Sequence, residues 1–372
     1  MSRALSLVVL AAVVSLTHGA CAGNLIPTRR QEALAVQHLR KLFQDSLFLR
    51  WGVRMGFHDC WQSGCDGYID LSDGENAGLE PMVKALALLY EEHGAAYCMS
   101  LADLYALSFS TAVEVSANRN PSPHRPAIDR VYGRKDVAVG SKPDTSARAL
   151  PDGQKGLGET QRIADALNVS LTLAVALVGG GHAIGGASPE ASGFKGSWTT
   201  QPDRFDNEYF QNVRDREMNR TDGDERKEGA WSQIRLSNNK FQWGDRVTST
   251  STYESTPEAA EQAQKRTGFY LLNVDMALYV GVDVVEDERD VLFGLSQGPC
   301  GPRGNATNGP LAPPQGRSGF DDCFEAEHSA EARAAVDTYA AQYPRFVQDF
   351  SFAANRLIRL GSEGLSLVRA RR

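Results

Sequence analysis

Positive charge is in short supply in this chain. Lys and Arg total 39 against 46 Asp and Glu, for a net charge of −7. No stretch interleaves basic with aromatic side chains, so a nucleic-acid surface is excluded, and Arg369, Arg371 and Arg372 read as a solvated tail. A second long apolar run is also missing: outside residues 4–16 nothing approaches the roughly 20 apolar residues that a membrane crossing needs. No membrane span is therefore expected. Internal repeats and strong two-residue alternation are absent too, which leaves helices as the main element.

What is present opens with Arg3, the apolar run Ala4–Leu16 and small residues around Ala20, Cys21 and Ala22. That is the composition of a signal peptide over residues 1–22, and it predicts a secreted chain. Secretion would permit disulfides and sugars at Asn168, Asn219 and Asn305, each followed by x-Ser or x-Thr. There are six cysteines. Cys60 and Cys65 can close a small ring, and Cys300 with Cys323 would staple a Pro/Gly-rich loop. Cys21 can pair with Cys98 only if Cys21 stays on the mature chain.

Apolar spacing predicts helices over 27–45, 79–93, 100–116, 158–167, 170–178, 205–214, 267–282 and 330–360. Residues 118–150 read as a long irregular connection, 215–228 as a charged turn, 248–256 as a Ser/Thr-rich segment and 298–319 as a Pro/Gly-rich insertion. The chemistry concentrates in Leu47–Asp66, LFLRWGVRMGFHDCWQSGCD. On a helix, Arg54, Phe57 and His58 share a face beside Trp51 and Met55. A buried guanidinium and imidazole among apolar neighbours suit a reaction that moves a proton while negative charge grows on an oxygen. Asp59 and Asp66 flank the loop Cys60–Cys65, where Gly64 allows a tight bend. Two carboxylates with turned-in carbonyls there form an oxygen-rich site of the kind calcium prefers. Further along, three glycines precede His182 and two follow soon after, removing side chains where a planar macrocycle or another helix can approach.

Arg-x-x-Phe-His-Asp-Cys, residues 54–60, resembles the distal motif of the haem peroxidases of plants, fungi and bacteria. Its Cys60…Cys65-Asp66 continuation is most similar to the secreted plant branch. Ser100–Val115 and Ser192–Phe210 resemble the ascorbate and cytochrome c peroxidase branch, so the chain reads as a hybrid. The resemblance implies a mainly α fold in which two helical subdomains sandwich a haem, a distal one over residues 23–155 and a proximal one over 156–372. It implies haem b on His182, with His58 on the opposite face, Asp275 (in Leu272-Asn-Val-Asp275) accepting the ring's other N–H, and Trp198 against the ligand. Asn76 would hold His58, and Phe57 is the distal aromatic. Asp59, Gln62, Gly64 and Asp66 would bind the distal calcium, although Tyr68 stands where the plant site has serine. Ala183 lacks the hydroxyl of relatives that bind a proximal cation, for which Thr199 and Asp206 would be other ligands, and Ala191 replaces the arginine of ascorbate users. The expectation is a monomeric secreted enzyme that reduces hydrogen peroxide with a small phenolic or aromatic donor. The alternative is an inactive scaffold that keeps calcium and disulfides and has lost its haem.

Overall fold

The computed structural model describes residues 21, 25–138, 141–143, 145, 148–215, 231–235, 240–245, 270–280 and 327–372. The helix predicted over 267–282 is described only within 270–280. Cys300, Cys323, Asn219, Asn305 and the segments 248–256 and 298–319 lie outside the described residues, as does nearly all of 1–22 and of the charged turn 215–228. The chain divides into two units, residues 1–150 with 354–372, and residues 151–353.

In the first unit, α1 (Arg29–Leu42) starts at Thr28, whose hydroxyl accepts from the Gln31 amide while the Gln31 side chain accepts from the Thr28 amide. Helices α2 (Ser46–Gln62), α3 (Glu80–Tyr97) and α4 (Leu101–Ala117) follow. As its even apolar composition predicts, α4 is buried along most of its length. It packs closely on α2 because Gly52 and Gly56 carry no side chain. A Cβ at Gly56 would lie 2.4 Å from that of Phe109.

The predicted irregular connection after α4 has no helix among its described residues longer than a single turn. A buried ion pair holds it, Arg134 Nη1 to Asp103 Oδ1 at 2.8 Å, with side-chain exposures of 2% and 0%. Both groups find further partners, as buried charges must: Asp103 accepts from the Gly133 amide, and Arg134 donates to the carbonyls of Val131 and Ile358. Bridges Thr28↔Arg371 and Tyr132↔Val368 tie the C-terminal segment to the same unit. Residues 354–372, expected with the proximal part, thus belong with the distal one. No local pattern announces a return made by single backbone pairs.

In the second unit, Asn168 adopts the left-handed conformation (φ 50°) that ends α5 (Leu157–Leu167), and Ser170 caps α6 (Leu171–His182). The remaining helices are α7 (Pro189–Ser192), α8 (Glu208–Asp215), α9 (Asn273–Val280), α10 (Glu327–Ala341) and α11 (Tyr343–Leu357), the last belonging to this unit as far as Ala353. The single helix expected over 330–360 is two, broken at Gln342. Pro344 lacks an N–H and its ring collides with the carbonyl four residues back, so it is tolerated only in a first turn. Helix α6 runs through its glycines to His182 instead of stopping at Val178.

Short strands were not foreseen. Antiparallel β1 (Gly186–Ala187) and β2 (Gly196–Ser197) pair Gly186 with Ser197. A three-stranded antiparallel sheet joins β3 (Trp231–Arg235), β4 (Phe241–Asp245) and β5 (Tyr270–Leu271). Two-residue strands are too short to show alternation. Mainly helical architecture stands as expected. Cys60 is bonded to Cys65, and Cys21 to Cys98. The second bond places Cys21, inside the expected signal segment 1–22, in a covalent link to α3's end. Among the described residues no single helix is long and apolar enough to cross a membrane.

Candidate active site

In the first unit the Asp45 carboxylate accepts the amides of Leu47 and Phe48, starting α2 so that Arg54 and His58 fall one turn apart. Both reach the short 3₁₀ turn Gly74–Asn76 and its exit. Arg54 donates to the carbonyls of Glu75 and Ala77 at 2.7 and 2.8 Å. His58 Nδ1 lies 2.7 Å from Asn76 Oδ1. The Asn76 amide nitrogen donates to Gln62 Oε1 and to the Asp70 carbonyl, so its oxygen can only accept from His58. Nδ1 therefore carries the ring proton, and the lone pair sits on Nε2.

Burial, and then the Arg54 charge, pull the His58 imidazolium down to a pKa of about 3, against a smaller upward push from Asn76. The ring is neutral over the ordinary pH range. Phe57 stacks on Trp61 with centroids 5.8 Å apart and 7° between planes, and meets His58 edge-on.

The predicted calcium loop is folded as expected around Gly64, whose φ of 98° and close approach to Gly361 leave no room for a side chain. Asp59 Oδ1 accepts the amides of Gly67 and Tyr68, whereas the fully buried Oδ2 has no hydrogen-bond partner. Asp66 accepts from the Ser63 hydroxyl and the Tyr68 amide. Burial and then the Asp66 charge push the Asp59 carboxyl well above its ordinary pKa. Among the described residues no group of three His, Cys, Asp or Glu side chains could hold a metal. An ion here would need main-chain oxygens as well.

In the second unit the glycines before His182 have distinct uses. A Cβ at Gly179 would fall 2.2 Å from the Phe210 ring, and one at Gly180 2.2 Å from Phe350, so these two let α6 pack on aromatics. At Gly181 a Cβ would meet no atom within 4 Å. His182 Nδ1 lies 2.7 Å from Asp275 Oδ1, and Trp198 stacks on the ring with centroids 4.1 Å apart and planes 12° apart. Trp198 Nε1 donates to Asp275 Oδ2 at 3.0 Å.

Two further donors reach the same carboxylate: Tyr209 Oη at 2.7 Å to Oδ1 and the Leu272 amide at 2.8 Å to Oδ2. Burial alone would raise the Asp275 pKa, but His182 and these hydrogen bonds outweigh it and hold the carboxyl below its ordinary value. An ionised carboxylate only accepts, so His182 Nδ1 donates, and in the neutral form of the ring the lone pair lies on Nε2. Tyr209 was missed in the sequence, although it lies in the Phe205–Phe210 stretch singled out there. Of the two residues that resemble members of a proximal cation site, Thr199 Oγ1 donates to the Ala183 carbonyl at 3.5 Å, and Asp206 pairs with Arg204 at 2.5 Å.

A family model described as Peroxidase matches residues 30–284. Among curated proteins, the chain is 33% identical over 192 residues to a probable L-ascorbate peroxidase 4, peroxisomal, of Oryza sativa subsp. japonica, covering 49% of this chain and 61% of the relative. It is 36% identical over 187 residues to L-ascorbate peroxidase 3 of Arabidopsis thaliana, covering 47% and 60%. It is 36% identical over 141 residues to L-ascorbate peroxidase 1, cytosolic, of Oryza sativa subsp. indica, covering 38% and 51%. The chain spans about half the length of the curated relatives it matches. Relatives named as peroxisomal or cytosolic overturn the expectation of a secreted chain. That expectation rested on the composition of the first 22 residues, a far shorter signal than the homologous stretch.

Proposed function

The chain belongs to the peroxidase family, and from that premise we propose that it is a haem enzyme reducing hydrogen peroxide to water with electrons taken singly from a small donor. One observation supports this reading above the rest: two imidazoles, His58 and His182, are each engaged through Nδ1, which in the neutral ring leaves the lone pair on Nε2. The donor set around His182 fits haem b, with a neutral imidazole to ligate the iron and a carboxylate behind it that raises its electron-donating power. Haem, when bound, supplies the redox chemistry of O–O cleavage and electron return.

The chain's own residues handle protons and charge. His58 Nε2 accepts a proton from hydrogen peroxide and returns it to the departing oxygen, acting as base and then acid. Arg54 counters the negative charge that grows on oxygen. Two electrons from two donor molecules and two protons complete the conversion of one peroxide to two waters. A scaffold without haem would have no use for two imidazoles set in this way.

For the donor, the relatives' names point to ascorbate. A phenolic donor is the second reading, favoured by Ala191 in place of the arginine that ascorbate users carry. Calcium belongs to the same proposal: the unpartnered Asp59 Oδ2 and the neighbouring Asp66 carboxylate fit a hard cation completed by carbonyls of Gln62 and Gly64. The test is His58→Leu, with haem loading followed by the Soret band and the peroxide reaction by stopped flow. The variant should keep its haem and lose about 10²–10⁴-fold in rate. A near-normal rate would reject the proposal, and a panel of ascorbate and guaiacol-type phenols decides the donor.

A further inference from the structure

The hydrogen bond from His58 to Asn76 is the first link of a longer chain. Asn76 Nδ2 donates to Gln62 Oε1 at 3.0 Å, and Gln62 Nε2 donates to Asp73 Oδ2 at 3.1 Å. Asn76 and Gln62 are buried, with exposures of 0% and 4%. Each amide in such a chain can in principle sit either way round, because its two ends are nearly the same size. The direction has to be set by a group that cannot reverse. Asp73 is one such group, since a carboxylate accepts and never donates.

Its other oxygen, Oδ1, is taken by the Glu75 amide at 3.0 Å, which fixes the carboxylate at the head of the turn that carries Asn76. With Asp73 accepting, Gln62 must turn its nitrogen outward and its oxygen to Asn76. Asn76 must then turn its nitrogen to Gln62 and its oxygen to His58. We propose that Gln62 and Asp73 are positioning residues that dictate, through Asn76, which nitrogen of His58 bears the proton. A second anchor, the Asp70 carbonyl accepting from Asn76 at 3.1 Å, makes the control shared.

This inference rests on the reading of His58 as the base, and its test separates the two. Asp73→Asn keeps an oxygen for the Glu75 amide and turns a donor toward Gln62, so one contact along the chain becomes donor against donor. The double variant Gln62→Glu with Asp73→Asn restores the direction. The new amide at position 73 then donates to the new carboxylate at position 62, which accepts from Asn76. Both are made in the full haem-loaded chain. The His58 tautomer is read from ¹⁵N-histidine spectra of the diamagnetic ferrous carbon monoxide form, and the peroxide rate is read by stopped flow.

Wild-type protein should show a single Nδ1–H tautomer. Asp73→Asn should show a mixture and about a tenfold slower peroxide reaction, in the range seen when a histidine loses its hydrogen-bonded support. The double variant should recover the single tautomer and most of the rate. An unmixed tautomer in Asp73→Asn, or a double variant no better than the single one, would overturn the inference. The tautomer readout does not depend on turnover, so it holds even if His58→Leu were to show that His58 is not the base.

Discussion

Replacing Asp275 with Asn tests the second unit's chemistry most sharply, because four donors converge on one carboxylate. His182 Nδ1 and Tyr209 Oη meet Oδ1, while Trp198 Nε1 and the Leu272 amide meet Oδ2. An amide offers one oxygen and one NH₂, so two donors must face an NH₂. Indole and backbone N–H groups can only donate. A tyrosine hydroxyl can turn and accept, and a neutral imidazole can move its proton to the other nitrogen. The amide oxygen will therefore stay with Trp198 and Leu272, and the NH₂ will face Tyr209 and His182.

Two consequences differ in size. Trp198 and Leu272 exchange a charged acceptor for a neutral one, a loss of about 1 kcal/mol each, so the second unit should lose about 2 kcal/mol. That is a modest fraction of a normal folding free energy. His182, by contrast, must carry its proton on Nε2 to accept at Nδ1, which removes the lone pair a metal needs. Haem affinity should fall by about 10–100-fold or more, out of proportion to stability. Guanidinium unfolding of the haem-free chain measures the first effect, with the two units analysed as separate transitions. Titration with haem at the Soret band measures the second. Wild-type haem affinity in Asp275→Asn would refute the tautomer argument for His182.

Two further outcomes follow from the electrostatics. Because burial and Arg54 hold the His58 imidazolium near pKa 3, the peroxide rate should be flat from about pH 8 to pH 4, without the limb near 6.5 of an exposed histidine; a limb centred near 6.5 in stopped-flow data would contradict the assignment. Chelation of calcium should lower the melting temperature of the first unit and leave the peroxide rate of the still-folded protein largely intact, since Asp59 Oδ2 would lose its counter-ion; an unchanged melting curve with EGTA would count against calcium at this loop.

Much of this arrangement was readable before any coordinates. The spacing of Arg54 and His58 follows from helical geometry, and the burial of His58 follows from apolar neighbours, whereas Arg54, expected to be buried, is only partly so. Asn76, Trp198 and Asp275 could be named from the family likeness; Asn76 bonds His58 within the first unit, and Trp198 and Asp275 meet His182 within the second. What the sequence hid was side-chain partnership over long separations. Nothing in the Tyr209 neighbourhood says that its hydroxyl reaches a helix 66 residues on. Gln62 invited a reading as a calcium ligand, while its side chain ties Asn76 to Asp73. The two-residue strands and the break at Gln342 were lost because apolar periodicity averages over longer windows than these features occupy.

The first unit is assembled from both flanks of the second in sequence. Arg371 donates its amide to Pro27 and accepts from the Arg29 amide, each at 2.8 Å, and Arg134 is capped by the Ile358 carbonyl. On the ribosome, residues 354–372 emerge after the whole of 151–353, so the half that holds His58 has to wait, its buried Arg134 short of an acceptor, while the half that holds His182 can already close. The order of completion is thus the reverse of the usual N-terminal-first sequence for domains: the half that holds His182 is complete before the half that holds His58.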